Sequence, residues 1–447
     1  MSIRKWIGLV GLVGLMTAPG LVAAGDFSAE RAHNWHQWRG PDATGVAAHA
    51  NPPVEWDQTR NLKWKVEIPG HGKSTPIVWG QRVFVIAAVN TGTVVEGATK
   101  PEDQPKRQFG ITFPNTLYRF VVQCLDRDTG QLLWEKTATE ALPHEGHHGD
   151  NSHASASPTT DGEFLYVSFG SRGVYCYDLD GQLQWQRKLN DVSTRLSFGE
   201  GSSPVVHGDT VLLVRDNETD SRLLAMDVRT GESRWEKKRD ESSAWATPVV
   251  VEHNGRTQVI TNASKRVRSY DLQTGDVIWE CGGQVGNVTP SPVLLGEQVI
   301  CMSGYRGSVA VSLPLAAMGD ITDTPQIAWR YDKDTPYVPS PLLYGDLLYF
   351  NKVNNGVLTV LDAKTGKPVL EATRLQGISN VYASPVGAAD RVYFTSRDGT
   401  TVVLKRGTTL ELLATNKLDD LVDASPALVG NQIFLRGQKH LYCFENQ

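Results

Sequence analysis

What this sequence lacks removes several function classes at once. Cysteine occurs five times in 447 residues, at positions 124, 176, 281, 301 and 443, with no C-x-x-C and no adjacent pair. An odd count leaves at least one thiol unpaired if all bridges are internal. Cys124, Cys176 and Cys443 each precede an acidic residue by two in similar apolar stretches (VVQCLD, VYCYD, LYCFE), so they read as small buried hydrophobes. No cysteine occurs before Cys124, so no lipobox anchor is expected. A long apolar run is missing too. The stretch from Ile7 to Met16 is broken by glycines and is short for a membrane span. With Arg4 and Lys5 before it and Val22-Ala23-Ala24 after it, it reads as a secretory leader over residues 1–24. Basic excess is also absent. The formal charge of −5 becomes −7 once Arg4 and Lys5 leave with the leader, which argues against a nucleic-acid or anionic-membrane binder. The mature chain is expected to be periplasmic or secreted, without a transmembrane span.

A phosphate-binding loop is missing as well, although Gly72-Lys73-Ser74-Thr75 looks like the end of one. The pattern needs a glycine at position 67, which is Glu67, and a helix behind it. Pro76 follows instead, and then two short strand-like runs, Ile77–Trp79 and Val83–Ile86, split by Gly80.

What the chain does contain is a repeat. A Ser/Thr-Pro pair followed by an apolar stretch recurs at Thr75, Ser157, Ser203, Thr247, Ser291, Ser340, Ser384 and Ser425. Beyond the first gap the spacings run from 41 to 49 residues, the period of a four-stranded propeller blade. Each period reads as four short strands with a turn signal after each. A hairpin turn running from Asp to Gly recurs at 126–130, 178–181, 227–231, 271–275 and 362–366. Asp can bond backbone N–H groups there, and Gly takes the positive φ. Four residues past the glycine stands Trp134, Trp185, Trp235 or Trp279, a flat ring suited to wedging neighbouring sheets apart. Leu370 takes this place in the sixth period, and the last two are degenerate. The final period has three strands only. The stretch Leu62–Ile68, with its own Trp64, supplies the fourth and closes the ring. The fold expected is all-β: a monomeric eight-bladed propeller of four-stranded antiparallel blades over residues 62–447, after an N-terminal extension at 25–61.

These D-x-x-T-G-x-x-x-W blades resemble the pyrroloquinoline-quinone-like repeat superfamily. The resemblance implies one of two activities. Quinoprotein alcohol dehydrogenases carry the quinone (PQQ) and calcium in an eight-bladed funnel; the BamB-like outer-membrane assembly lipoproteins are scaffolds without cofactor. The opening Trp35-His-Gln-Trp38-Arg39-Gly40-Pro41 also resembles the W-R-G-P start of many exported bacterial repeat proteins. The adjacent-cysteine disulfide and C-x-x-C-H haem site of the dehydrogenases have no counterpart here, and neither does the lipobox of the assembly proteins. No catalytic residue is carried over.

In such a propeller the loops before the first strand and the second hairpins share one face. Two residues before each repeat Ser/Thr stand Lys73, Ser155, Gly201, Trp245, Thr289, Val338, Tyr382 and Asp423. A packing position would repeat one residue type. This one varies, as a binding funnel would, and Lys73 and Asp423 become neighbours when the ring closes. The hairpins bring Arg172, Arg215, Arg266, Arg306, Arg397 and Arg436, either an anion-binding rim or solvated hairpin tips. His144-Glu145-Gly146-His147-His148 satisfies H-E-x-x-H, but that motif binds zinc only on a helix, and Pro143, Gly146 and Gly149 prevent one. His144, His147 and His148, with Asp150 or His153, are left as weak metal candidates beside a plain rim loop. The insertion at 91–116 reads as an exposed loop, and residues 314–326 replace the Asp-to-Gly turn of the fifth blade; either is suited to docking a partner.

The favoured expectation is a non-catalytic binding or assembly scaffold, taking a small anionic ligand, a glycan or a protein segment in its Lys/Arg-rimmed funnel. A PQQ-dependent dehydrogenase of alcohols or sugars is the alternative and requires a carboxylate cluster in the funnel, with Asp423 and Glu200 as candidates. A metal-dependent hydrolase comes third.

Overall fold

In the computed structural model, which describes residues 27–446, the chain forms eight sheets of consecutive antiparallel strands arranged around one axis. Blade 1 spans 77–141, blade 2 159–187, blade 3 205–238, blade 4 249–282, blade 5 293–331, blade 6 342–374 and blade 7 386–417. Blade 8 takes its three inner strands from 427–445 and its outer strand from Leu62–Glu67, with Trp64 opposite Cys443 and Val66 opposite Leu441. The ring therefore closes as the repeat implies, with the strand at Leu62–Glu67 and the last strand of the chain in one sheet. All five cysteines are buried and unbridged, and burial pushes the Cys124 thiol up to about 12.

The recurrent Ser/Thr has a physical explanation in the centre of the ring. In seven of the eight the backbone N–H donates to the hydroxyl of the next blade's Ser/Thr. The chain of bonds runs Thr75 to Ser157 at 3.0 Å, Ser157 to Ser203 at 2.8 Å, and onward blade by blade to Ser384 and Ser425 at 2.9 Å. Thr75 completes the circle by donating its own hydroxyl to the Ser425 carbonyl at 3.1 Å. Innermost strands have no neighbour on the channel side, so a hydroxyl there satisfies a donor that would otherwise be orphaned. Proline after it removes a second unpaired N–H from the same edge. The start of blade 1 is one eighth of this circle, which is why GHGKSTP resembles a phosphate loop without being one.

The outer ring is cemented by tryptophan. Each indole N–H donates to the carbonyl just after the Asp of the following blade's turn: Trp64 to Arg127, Trp134 to Leu179, Trp185 to Val228, Trp235 to Leu272 and Trp329 to Ala363, all at 2.8–3.0 Å. The glycine of that turn lies flat against the ring. At Gly231, with φ +70°, an added Cβ would stand 2.4 Å from Trp185, so glycine is required by both backbone and contact. Trp329 corrects the sequence reading: it does the work of the fifth tryptophan although no Asp-to-Gly turn precedes it. Trp279 is the exception in the other direction. The next blade has no turn for it, because 314–326 replaces it. Leu315, Ala317 and Ile321 of that insertion share a buried cluster with its ring, and Gly319–Asp320 adds a short parallel strand to the edge of blade 4.

The N-terminal extension crosses the ring. Trp35 pairs with Val78 of blade 1, the His36 carbonyl accepts from Thr160 of blade 2, Thr44 accepts from Leu343 of blade 6, Gly45 and Ala47 bond Gly387 of blade 7, and Asn51 bonds Gly430 of blade 8. The strap thereby pairs inner-strand edges that the ring alone leaves open. Arg39 pins it, only 1% exposed, by donating to the carbonyls of Pro341 and Pro385 at 2.8 Å each. Burial without a countercharge lowers its pKa to about 9.

Candidate functional site

On the face opposite the strap the ring opens into a cup of about 370 Å³, within the usual range for small-molecule sites of roughly 300–1,000 Å³. Trp38 of the strap lines it from below, its indole N–H bonded to the Ser291 hydroxyl at 3.0 Å. The eight variable positions, from Lys73 round to Asp423, all line the wall. Their placement follows from the hydroxyl circle, which fixes each Ser/Thr on the axis and turns the residue two before it toward the opening.

Charges in the cup form one closed network. Lys73 Nζ lies 2.6 Å from Asp423 Oδ2 and 3.2 Å from the Gly149 carbonyl. Arg397 bridges both acids, Nε to Asp423 Oδ1 and Nη1 to Asp150 Oδ1, each at 2.6 Å. Its guanidinium rests 3.8 Å from the centre of the Tyr382 ring, and the Tyr382 hydroxyl donates to Asp150 Oδ2 at 2.5 Å. Burial would raise the Asp150 carboxyl, but Tyr382 and Arg397 outweigh it and hold it below the usual range. Burial and the same hydrogen bond push Tyr382 up to about 12. Two cations face two anions, so the network carries no net charge.

Aromatic rings make up much of the remaining wall. Trp245 is fixed by its indole N–H to the Gly199 carbonyl at 2.6 Å, with Phe198 6.3 Å away. Tyr305 and Tyr337 stand as a pair with centroids 5.0 Å apart. Phe109, from the 91–116 insertion, reaches the mouth and meets the rings of His148 and Phe198 edge-on.

The expected arginine rim is a different object in the structure. Arg172 is tied to Asp191 and the Leu142 carbonyl, Arg215 to Glu200, and Arg266 to Glu280 and Asp320. Arg436 is buried between blades 8 and 1, donating to Ser74 and to the Ile86 carbonyl, and burial lowers it to about 9. Arg306 stacks on Tyr305 and stays exposed without an ion pair among the described residues. Only Arg397 of the six takes part in the network of the cup, and Lys73 is its other cation. Arg172, Arg215 and Arg266 are thus each paired with an acid rather than left free at the rim.

The histidine loop is not helical. Glu145 is buried and caps the turn at Thr194, accepting from its N–H at 3.1 Å and its hydroxyl at 2.7 Å, and burial raises its pKa. His144 Nε2 meets the Val192 carbonyl and His147 Nδ1 the His148 carbonyl, both at 2.8 Å. The zinc-motif geometry does not form, because its three residues meet separate partners: His144 and Glu145 as above, and His148, whose Nδ1 accepts from the Asp150 N–H at 3.1 Å. Among the described residues no three His, Cys, Asp or Glu converge as a metal site. The loop does serve the cup, through His148, Asp150 and Asn151.

Sequence reasoning missed Trp38, Phe109, Phe198, Tyr305 and Tyr337 as wall residues, and Asp150 as the second acid. Tyr305 was legible beside Arg306 in its hairpin; Phe109 and Asp150 lie in irregular segments with no periodic signal. Glu200 stands next to Gly201 but turns away, accepting from Ser171 N–H at 2.6 Å and from Arg215 at 3.0 Å.

With this geometry in hand, the family of the outer membrane protein assembly factor BamB matches residues 119–371 and 322–447. The chain belongs to this family. Among curated proteins none matches. Of solved structures, BamB from Moraxella catarrhalis superposes with a TM-score of 0.57 at 9% identity, over 86% of this chain and 99% of that one. The quinohemoprotein alcohol dehydrogenase from Comamonas testosteroni gives 0.61 at 12%, over 95% and 82%, and the computationally designed Ika8 protein gives 0.52 at 15%, over 79% and 99%. At such identities the likeness is one of fold, and function has to be argued from the site.

Proposed function

We propose that this chain is an exported, non-catalytic binding propeller that takes its ligand in the cup. One observation carries this reading. Next to a Ser/Thr that is the same in all eight blades, the residue facing the cup is different in every blade, from Lys73 through Trp245 to Asp423. Cementing the ring needs no such variety, and ligand recognition does. The leader at 1–24, which lies outside the described residues, supports export. No helix among the described residues is long and apolar enough to cross a membrane.

The quinone implied by the family resemblance does not fit the residues present. It is a flat polycarboxylate that binds with calcium, and calcium needs a surplus of oxygen anions. Both acids lining the cup are already matched by Lys73 and Arg397, which leaves no surplus of anions for the metal among the described residues of its wall. The dehydrogenase reading is favoured by one observation only, that two acids, Asp150 and Asp423, do line the cup. Family membership adds a protein segment as a further occupant for this face, where Phe109 is 65% exposed.

The test is thermal unfolding of the mature protein with neutral and acidic glycans, PQQ with calcium, and zinc, since whatever binds only the folded state raises the midpoint. A shift that disappears in Trp245→Ala supports the cup. No shift with any ligand, or one indifferent to Trp245, rejects it; a shift with PQQ and calcium, accompanied by dye-linked alcohol oxidation, moves the protein to the dehydrogenases.

A further inference from the structure

Resting on the reading of the cup as a ligand site, we infer that its ligand is a neutral saccharide. The first ground is electrostatic. An ionic ligand that pairs with Lys73, Arg397, Asp150 or Asp423 must displace one member of a network whose contacts are 2.6 Å long and leave its partner unpaired in a half-buried site. A hydroxyl displaces nothing. Each carboxylate oxygen has more than one acceptor position, so Asp150 and Asp423 can accept sugar O–H groups while holding their cations.

The second ground is the shape and chemistry of the rest of the wall. Trp245 and Trp38 are each held by an indole hydrogen bond, to Gly199 and Ser291, so their planes are set before any ligand arrives. Fixed aromatic faces beside acceptor-rich polar groups match the two sides of a pyranose ring, whose C–H face is apolar and whose rim is hydroxylated. Such preorganisation lowers the cost of binding. A flat aromatic ligand would use the rings but leave unused the acceptor positions of the two carboxylates that their present partners do not fill.

The experiment uses the full mature chain on an array of paired neutral and acidic glycans, followed by calorimetry with the best neutral sugar and the corresponding uronic acid. The expected result is binding of neutral glycans, with the uronic acid at least ten-fold weaker and a loss of at least ten-fold in Trp245→Ala. Trp245→Phe, which keeps an aromatic face, should retain more affinity than Trp245→Ala, and cooperative unfolding of both variants shows that the fold persists. Equal or tighter binding of the acid, or Trp245-dependent binding of a peptide or quinone with no neutral sugar bound, overturns the saccharide and leaves the cup standing. Absence of any Trp245-dependent ligand overturns both.

Discussion

Lys73 and Asp423 come from the first and last blades, 350 positions apart, and meet at 2.6 Å at the wall of the cup. Asp423 then passes the contact on to Arg397 and, through it, to Asp150. This pair joins the closure of the ring to the chemistry of the site. Lys73→Met leaves Asp423 with one cation in place of two, in a partly buried setting. The expected cost is about 1–2 kcal/mol, below that of a fully buried pair. Denaturant titration of the single variants and of Lys73→Met with Asp423→Asn gives the coupling directly; additive effects would refute it.

Gly231→Ala and Gly208→Ala separate backbone strain from contact. Both glycines have positive φ, but a Cβ at Gly208 meets nothing within 4 Å, whereas at Gly231 it meets Trp185. Gly208→Ala should cost ~1 kcal/mol and Gly231→Ala about 2–4 kcal/mol. Equal midpoints in urea would show that the tryptophan yields freely.

Trp329→Ala removes a largely buried ring and its bond to Ala363 at the joint of blades 5 and 6. A loss of ~3–5 kcal/mol is expected. A loss under 1 kcal/mol would deny Trp329 the role of the missing fifth wedge.

Arg39→Met should free the strap, because the carbonyls of Pro341 and Pro385 lose their donor. Each buried acceptor left without a partner costs about 1–3 kcal/mol. Limited proteolysis should then cut between residues 34 and 51 in the variant only. Equal resistance in both proteins would mean that strand pairing alone holds the segment.

Stability should fall as the solution is acidified below the ordinary histidine range. Burial lowers His36 from 6.5 to about 3, aided by Arg31, and lowers His153 to about 3, aided by His147 and other nearby cations. Between those values the unfolded chain binds more protons than the native one. The contribution is therefore complete above 6.5 and is lost toward 3, by up to ~1.4 kcal/mol per pH unit for each residue. Unfolding free energies at pH 7.5, 6 and 5 should show this slope, and His36→Gln should reduce it. An unchanged slope in the variant would remove His36 from the account.

The sequence by itself determined the architecture, because its causes are local and repeated. A Ser/Thr hydroxyl serves an inner-strand N–H in seven blades and closes the circle in the eighth, and a glycine must lie under a tryptophan wherever the Asp-to-Gly turn occurs, so both recur at a fixed period. A short last blade and a spare strand at Leu62 could be joined in one way. The eight positions around the cup were legible for the same reason. What those positions do to one another was settled only by the tertiary structure. The links of Asp150 to Arg397 and Tyr382, and of Trp38 to Ser291, span 247, 232 and 253 positions, and no period announces them. Arginines that read as a basic rim were cancelled by acids from other segments, and the strap became the floor of the cup. Charge and enclosure depend on which side chains ring closure brings within a few ångströms, and that is a property of the assembled ring.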